Sequence, residues 1–352
     1  MNSKLQILLP SFKRAASLLF LFVLFTLTSC GDQQQAHFKM SGFTMGTNYH
    51  ITVLENSAAK TSQQDLQQAV DQQLQLINQQ MSTYIDDSEL SELNRVLVDE
   101  WTPVSPNLFD VLMLSLELGW ISNGAFDISV GPIVDLWGFG PGPVTASSQI
   151  PSDADIAECL TRVDFQALEF DLEKSRVRKR KAISMDLSAI AKGFAVDKLV
   201  DLLNYAGYTD FMVEVGGELR LQGLSPRGTP WRIAIEQPDS ATLGQPHKAI
   251  AVSNVAVATS GDYRNYFEHE GKRYSHTINP KTGYPISHNL ASVTVIADTA
   301  AYADGLATAI NVMGPELGFE LAQKQSFAVY LLVKSEQGFV AKVSDAFKPY
   351  LE

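Results

Sequence analysis

The sequence predicts an α+β fold, a single elaborate mixed domain of two intimately packed lobes, and three observations carry that expectation. Strand-like alternation and helix-like periodicity are interspersed along the chain without a regular strand-helix-strand period. No internal repeat is visible, and neither a GxGxxG nor a GxxxxGKS/T run occurs, so no Rossmann or P-loop cradle is expected. Beyond an unusual N-terminal stretch, about 320 residues remain, enough to bury a large core.

That N-terminal stretch carries Lys4, Lys13 and Arg14, then an apolar run from Ala15 to Leu27, then "LTSC" ending at Cys30. A basic region, a hydrophobic region short for a bilayer span, and small residues before a cysteine make the pattern of a lipoprotein signal. The expected division is a signal peptide over 1–29, a lipidated Cys30 with a flexible tether over 30–37, and a folded domain over 38–352. An ordinary cleaved signal with a coincidental cysteine, or an uncleaved anchor, is the plainer alternative; the position of Cys30 directly after Leu-Thr-Ser favours lipidation. The only other cysteine, Cys159, then has no partner, so no intramolecular disulfide is expected. Residues 1–29 carry three basic side chains and no acidic one, so their removal takes the formal charge from −12 to −15. A chain this acidic, without a Lys/Arg stripe, is a poor nucleic-acid binder. An anionic ligand would need a metal or a local lysine to offset the repulsion.

The elements follow in order. "FKMSGFTMGTNYHITVL", 38–54, ends in alternation and reads as a strand preceded by a turn containing Gly42 and Gly46. Leu66, Val70, Leu74, Ile77 and Met81 recur at helical spacing in a Gln-rich background. A second helix spans Pro106 to Ile121, followed by irregular backbone at Gly124 and Gly131. The Gly- and Pro-rich stretch from Trp137 to Asp153 reads as a loop, a boundary or a lid. Short strands lead to Arg180, and a helix covers "MDLSAIAKGFAVDKLVDLLNYAG" up to Gly207. Strand-like runs follow at 210–223, 231–236, 248–259 and 290–297, then a helix around "AYADGLATAI", another after Pro315, and strands near 327–334 and 338–343.

Four segments carry residues with chemistry. Asp304 and Thr308 stand four apart in an otherwise small, apolar helix and share a face, so two hard oxygens point the same way. Local hydrogen bonding is the ordinary reading of such a pair. Asp186 stands where a helix N-cap would sit, and Lys192 follows among Ala189, Ile190, Ala191, Gly193 and Ala195, small neighbours that would let a ligand approach; taken alone, a snorkelling lysine is commoner. His276 precedes the turn Pro280-Lys281-Thr282-Gly283. "EVGGE", 214–218, puts two glycines at a strand end, a bulge or a close approach to a ligand.

In this order the segments closely resemble the ApbE family of flavin transferases, FAD:protein FMN transferases. The matching pieces are "TMGT" (44–47), "MSTY" (81–84) leading into "SELSELN" (88–94), "GAFDISVGP" (124–132), "DLSAIAKGFAVD" (186–197), "VEVGGE" (213–218), "SGDY" (260–263), "HTINPKTG" (276–283) and "YADGLATA" (302–309). They span nearly the whole chain after the leader. Asn279 stands where the family pattern usually has Asp. The resemblance implies an ApbE-like domain with a ligand cleft, in which FAD contacts carry over onto Met45, Tyr84, Ala125, Phe126, Asp127, Asp186, Lys192 and Ile278. It implies a Mg²⁺ ion held by the backbone carbonyl of Ala189, by Asp304 and by Thr308, with Ala307 beside them.

The implied reaction moves the FMN half of FAD onto a threonine, or less often serine, hydroxyl of an acceptor protein and releases AMP. Tyr84 and Phe126 are the expected packing partners for the flavin or adenine rings, and His276 the expected base, with Asp186 or solvent as alternatives. The resemblance points to flavin-carrying subunits of membrane redox complexes, such as the sodium-translocating NADH:quinone reductase and Rnf-type complexes, as acceptors. A lipid-anchored enzyme facing the periplasm, at the inner membrane, would reach them. Two other classes compete with this expectation: an FAD pyrophosphatase, which would share the cleft and metal but direct water at phosphorus, and a non-catalytic flavin-binding lipoprotein, against which the Asp304/Thr308 pair argues.

Overall fold

The computed structural model describes residues 34–57, 59, 61–141, 150–238, 245–261 and 266–351. Cys30, the leader and part of the tether lie outside the described residues, as do Asp262 and Tyr263 of the "SGDY" run. In chain order the elements are β1 (His37–Thr44), β2 (Thr47–Leu54), α1 (Gln63–Met81), α2 (Glu89–Arg95), β3 (Thr102–Pro103), α3 (Pro106–Ile121), α4 (Gly131–Leu136), α5 (Asp153–Leu160), β4 (Leu168–Asp171), β5 (Arg176–Lys179), α6 (Ala191–Tyr205), β6 (Phe211–Val215) and β7 (Glu218–Gln222). Then come β8 (Trp231–Glu236), β9 (Pro246–Val252), β10 (Val255–Gly261), β11 (Tyr266–His269), β12 (Lys272–Ser275), β13 (Leu290–Ala297), α7 (Ala300–Lys324), β14 (Ala328–Ser335) and β15 (Gly338–Val343).

An antiparallel sheet in the order β1-β2-β6-β7-β10-β13-β14-β15 forms the frame. Its central strand β13, "LASVTVIA", is buried on both faces and therefore reads as a nearly continuous apolar run. Val293 and Val295 face the larger core with α1, α6 and α7, while Ile296 joins Leu221, Trp231, Ile250, Val257 and Phe347 on the opposite face under the β8–β9 hairpin. The α+β, single-domain expectation is met, and the helices over one face of the sheet fix where the site residues meet.

Several boundaries differ from the sequence reading. Gly42 lies inside β1, and the turn is Met45-Gly46, both left-handed at φ 49° and 71°, which joins β1 to β2 as a two-residue hairpin. The run 210–223 is also a hairpin, turned by Gly216 and Gly217 at φ 58° and 100°. The run 248–259 is parts of two strands, β9 and β10. The stretch 137–153 is flanked by α4 and α5, short helices hidden by Gly131 and Pro132 at the start of one and by Pro151 just before the other.

Two helix corrections bear on function. α6 starts at Ala191 rather than after Asp186, so Asp186 is not its N-cap; its Oδ1 accepts the Ser188 N–H at 2.7 Å in the turn before. Lys192 is consequently the second residue of the helix, not two turns in. The segment after Pro315 continues α7 across a kink at Gly314 (φ 81°). Pro315 has no N–H for the Asn311 carbonyl four residues back, and His288 fills that role with Nε2 at 2.7 Å, while its Nδ1 accepts the Leu290 N–H.

Candidate active site

α6 and α7 cross at their N-terminal ends, and each supplies a carboxylate to the other's unpaired N–H groups. Asp197 on α6 accepts the Ala300 and Ala301 N–H groups of α7 at 2.8 and 2.9 Å. Asp304 on α7 accepts the Gly193 N–H of α6 at 3.0 Å. The first turns of helices carry orphan donors and a positive dipole end, so both contacts are favourable. The crossing is close enough to require Gly193: a Cβ there would stand 2.3 Å from the Ala300 carbonyl oxygen. The "AKG" in the sequence is thus explained partly by packing.

Lys192, beside that glycine, turns toward two carboxylates. Its Nζ lies 2.6 Å from Glu218 Oε1 and 3.4 Å from each oxygen of Asp304. Glu218 and Asp304 are buried, with side chains 5% and 7% exposed, whereas 27% of the Lys192 side chain reaches solvent. Burial works against the ammonium, but Asp304 and Glu218 together outweigh it and raise its pKa. Burial, then the Asp304 charge, pushes the Glu218 carboxyl up to about 7 against the pull of Lys192. Asp304 is raised as well, by burial, with Lys192 and the Gly193 N–H opposing. Glu218 is the residue that the sequence reading passed over. The signal was present in "VEVGGE", where an acid directly follows a glycine turn and then occupies a buried strand position.

The two hairpin turns converge on the same lysine. A Cβ on Gly216 would meet the Thr47 methyl at 2.7 Å and Lys192 Cδ at 3.1 Å, which brings the "TMGT" and "VEVGGE" turns against the start of α6. Met45 sits at the tip of the first turn, partly buried against the main core. Thr308, one turn after Asp304, is half-buried on the same helix face. Ala307 is buried in mid-helix and offers no side-chain donor. Ala189 is half-buried in the turn that leads into α6.

"GAFDISVGP" runs alongside the segment before α6: Val130 bridges Ser184 in parallel, and the Asp186 N–H reaches the Ile128 carbonyl at 2.7 Å. Asp127 has both oxygens engaged, Oδ1 by the Ser129 N–H and hydroxyl and Oδ2 by the Phe165 N–H, and burial raises its pKa. Ala125 and Phe126 are buried, Phe126 within reach of Gly305 on α7. Phe126 is therefore a core ring. The stacking expected of Tyr84 and Phe126 narrows to Tyr84, which is 63% exposed. The Tyr84 hydroxyl donates to the Phe139 carbonyl at 3.1 Å; burial, then the charges of Asp186 and Asp135, raise its pKa, which places these groups in one neighbourhood.

His276 is half-buried with its ring edge-on to Phe139, centroids 6.4 Å apart, at the end of an aromatic run through Phe267, Tyr274 and Trp137. The "HTINPKTG" turn is anchored by the Trp137 indole N–H to the Gly283 carbonyl at 2.8 Å, and Ile278 is buried beneath it. Asn279, which replaces the family's usual Asp, closes this turn: its Oδ1 accepts the Lys281 N–H at 2.9 Å.

Among the described residues no three His, Cys, Asp or Glu side chains form a metal cage. The donors beside Asp304 nevertheless suit a hard cation. A carboxylate and a hydroxyl share one helix face, and when ionised Asp304 and Glu218 exceed Lys192 by one negative charge where water is scarce. Mg²⁺ is characteristically held by one or two carboxylates together with waters and substrate phosphates, not by a complete protein cage.

The ApbE family model matches residues 45–331 of the chain. The chain belongs to the ApbE family. A Haemophilus influenzae relative described as FAD:protein FMN transferase is 39% identical over 331 residues, spanning 93% of this chain and 95% of the relative. The solved flavin transferase ApbE from Vibrio cholerae superposes with a TM-score of 0.83 at 39% identity, covering 90% of this chain and 99% of that one. The apo form of the Pseudomonas stutzeri flavinyl transferase ApbE gives 0.82 at 36% identity, with 90% and 98% covered. Four of the ApbE motifs, "TMGT", "DLSAIAKGFAVD", "VEVGGE" and "YADGLATA", meet around Lys192 and Asp304, while "MSTY" and "HTINPKTG" meet at Trp137 and Phe139.

Proposed function

We infer that this chain is an FAD:protein FMN transferase that uses Mg²⁺ to move FMN from FAD onto a threonine or serine hydroxyl of an acceptor protein, releasing AMP. The observation that carries the reading is the cluster of Lys192 with the buried carboxylates Glu218 and Asp304, with Thr308 one helical turn along and the "TMGT" and "VEVGGE" turns packed against it. Mg²⁺ on Asp304, Thr308 and the Ala189 carbonyl would supply charge neutralisation to the pyrophosphate.

The chain's own groups do the rest. The bond formed joins the acceptor hydroxyl oxygen to the FMN phosphorus; the bond broken is that between this phosphorus and the oxygen that leaves with AMP. Such transfers require positioning and charge compensation more than covalent work by the enzyme. Lys192 contributes a fixed positive charge, and Tyr84 an exposed ring against which a flavin or adenine can pack. His276 is the group proposed to take the hydroxyl proton. The lipid anchor at Cys30, a periplasmic orientation at the inner membrane, and acceptors among flavin-carrying subunits of the sodium-translocating NADH:quinone reductase and Rnf type complete the reading.

Product analysis tests it. With a threonine-bearing acceptor domain, AMP and covalent flavin should appear in equal amounts, and without acceptor FAD should stay whole. Free FMN formed without acceptor would instead make the protein a pyrophosphatase, and intact FAD throughout would make it a binding protein. His276→Ala should slow transfer by about 10²-fold and flatten its pH dependence. An unchanged profile would return His276 to a purely structural place in the aromatic run.

A further inference from the structure

Lys192 is shared unequally between its two carboxylates. The 2.6 Å contact with Glu218 is a close charge-assisted hydrogen bond, whereas the two 3.4 Å contacts with Asp304 lie at the long edge of bonding distance. Glu218 is fixed for this task from both sides. It opens β7 directly after the Gly216-Gly217 turn, and its second oxygen accepts the Thr259 N–H of β10 at 3.3 Å. The lysine stem is confined too, since the same turn passes close to its Cδ.

When both carboxylates are ionised, they exceed the one ammonium by a negative charge, and the hydrogen-bond pattern decides which carboxylate bears it. Because the ammonium sides with Glu218, the excess rests on Asp304. Without the Glu218 charge, an Nζ shift of about 0.6 Å would bring Lys192 to charge-assisted bonding distance of Asp304. The pair would then be neutral, and an incoming cation would have to displace the enzyme's own lysine.

We propose that Glu218 is a positioning residue for the cation site: by retaining the Lys192 ammonium it keeps the Asp304 carboxylate open to a divalent metal. The proposal rests on the reading of Asp304 as a cation ligand and adds a residue to it.

The test is Mn²⁺ binding to the full-length, metal-free protein, read from the electron paramagnetic resonance of free Mn²⁺, a measurement independent of turnover. Glu218→Gln, which keeps the side-chain shape and an acceptor for the Thr259 N–H, should raise the Kd for Mn²⁺ by about tenfold or more, as loss of outer-shell groups does at metal sites. Glu218→Asp, which keeps the charge, should lie nearer to wild type. The decisive variant is Glu218→Gln combined with Lys192→Met: with the competing ammonium gone, binding should recover to within about threefold of wild type. Wild-type affinity in Glu218→Gln, or a double variant as weak as the single one, would overturn the proposal. Asp304→Asn separates the layers, because equal Mn²⁺ binding by that variant and wild type would remove the Asp304 reading itself, whatever Glu218 does.

Discussion

Asp304→Asn is expected to slow flavin transfer by on the order of 10³-fold while the protein still unfolds cooperatively near the wild-type temperature. Asparagine retains an oxygen for the Gly193 N–H at the start of α6 but cannot supply the negative charge that a cation on the pyrophosphate requires. Alanine is the poorer choice. If Asp304 is a metal ligand in a polar cleft, its truncation would be expected to leave the fold largely intact; in the structure its side chain is only 7% exposed and caps a neighbouring helix. Asp304→Ala therefore adds about 1–3 kcal/mol of instability from the orphaned N–H to any loss of chemistry. Rates of covalent flavin formation, paired with thermal melts, separate the two effects. Normal turnover by Asp304→Asn would show that its charge has no part in the reaction.

Gly193→Ala is expected to destabilise the protein by about 3 kcal/mol, at the upper end for a single added methyl group. The obstructing atoms are backbone: the Ala300 carbonyl oxygen at 2.3 Å and the Ala301 Cα at 2.8 Å. They belong to the first turn of α7, which Asp197 ties back to α6, so neither helix can yield alone. Spreading the crossing would also pull Asp304 away from Gly193 and Lys192, and activity should fall with stability. Urea unfolding measures the first and transfer assays the second. A loss under about 0.5 kcal/mol would mean that the crossing is compliant, contrary to the rigidity argued for the site.

The sequence disclosed the apolar frame and the candidate residues more readily than the contacts between them. β13 and α1 were legible because one is apolar throughout and the other strictly periodic. α4 and α5 were not, since they are short and bounded by glycine and proline that locally signal a loop. Asp186 looked like a cap because an acid before a helical run usually is one; the turn through Leu187 and Ser188 delays the helix to Ala191. Phe126 looked like a stacking ring because type and motif do not reveal direction, and packing against α7 turned it inward. Glu218 escaped notice because its partner lies 26 residues away on another element, a relation that only the close packing of β7, α6 and α7 creates. The resemblance named the candidate residues; tertiary contacts supplied the charge balance between Lys192, Glu218 and Asp304.

The most direct test of the account is the intact mass of a threonine-bearing acceptor domain after incubation with the protein and FAD, with and without Mg²⁺. The account predicts an increment equal to FMN less water, formed with Mg²⁺, abolished by EDTA and nearly absent with Asp304→Asn. An unmodified acceptor beside consumed FAD, or full modification in EDTA, would contradict it.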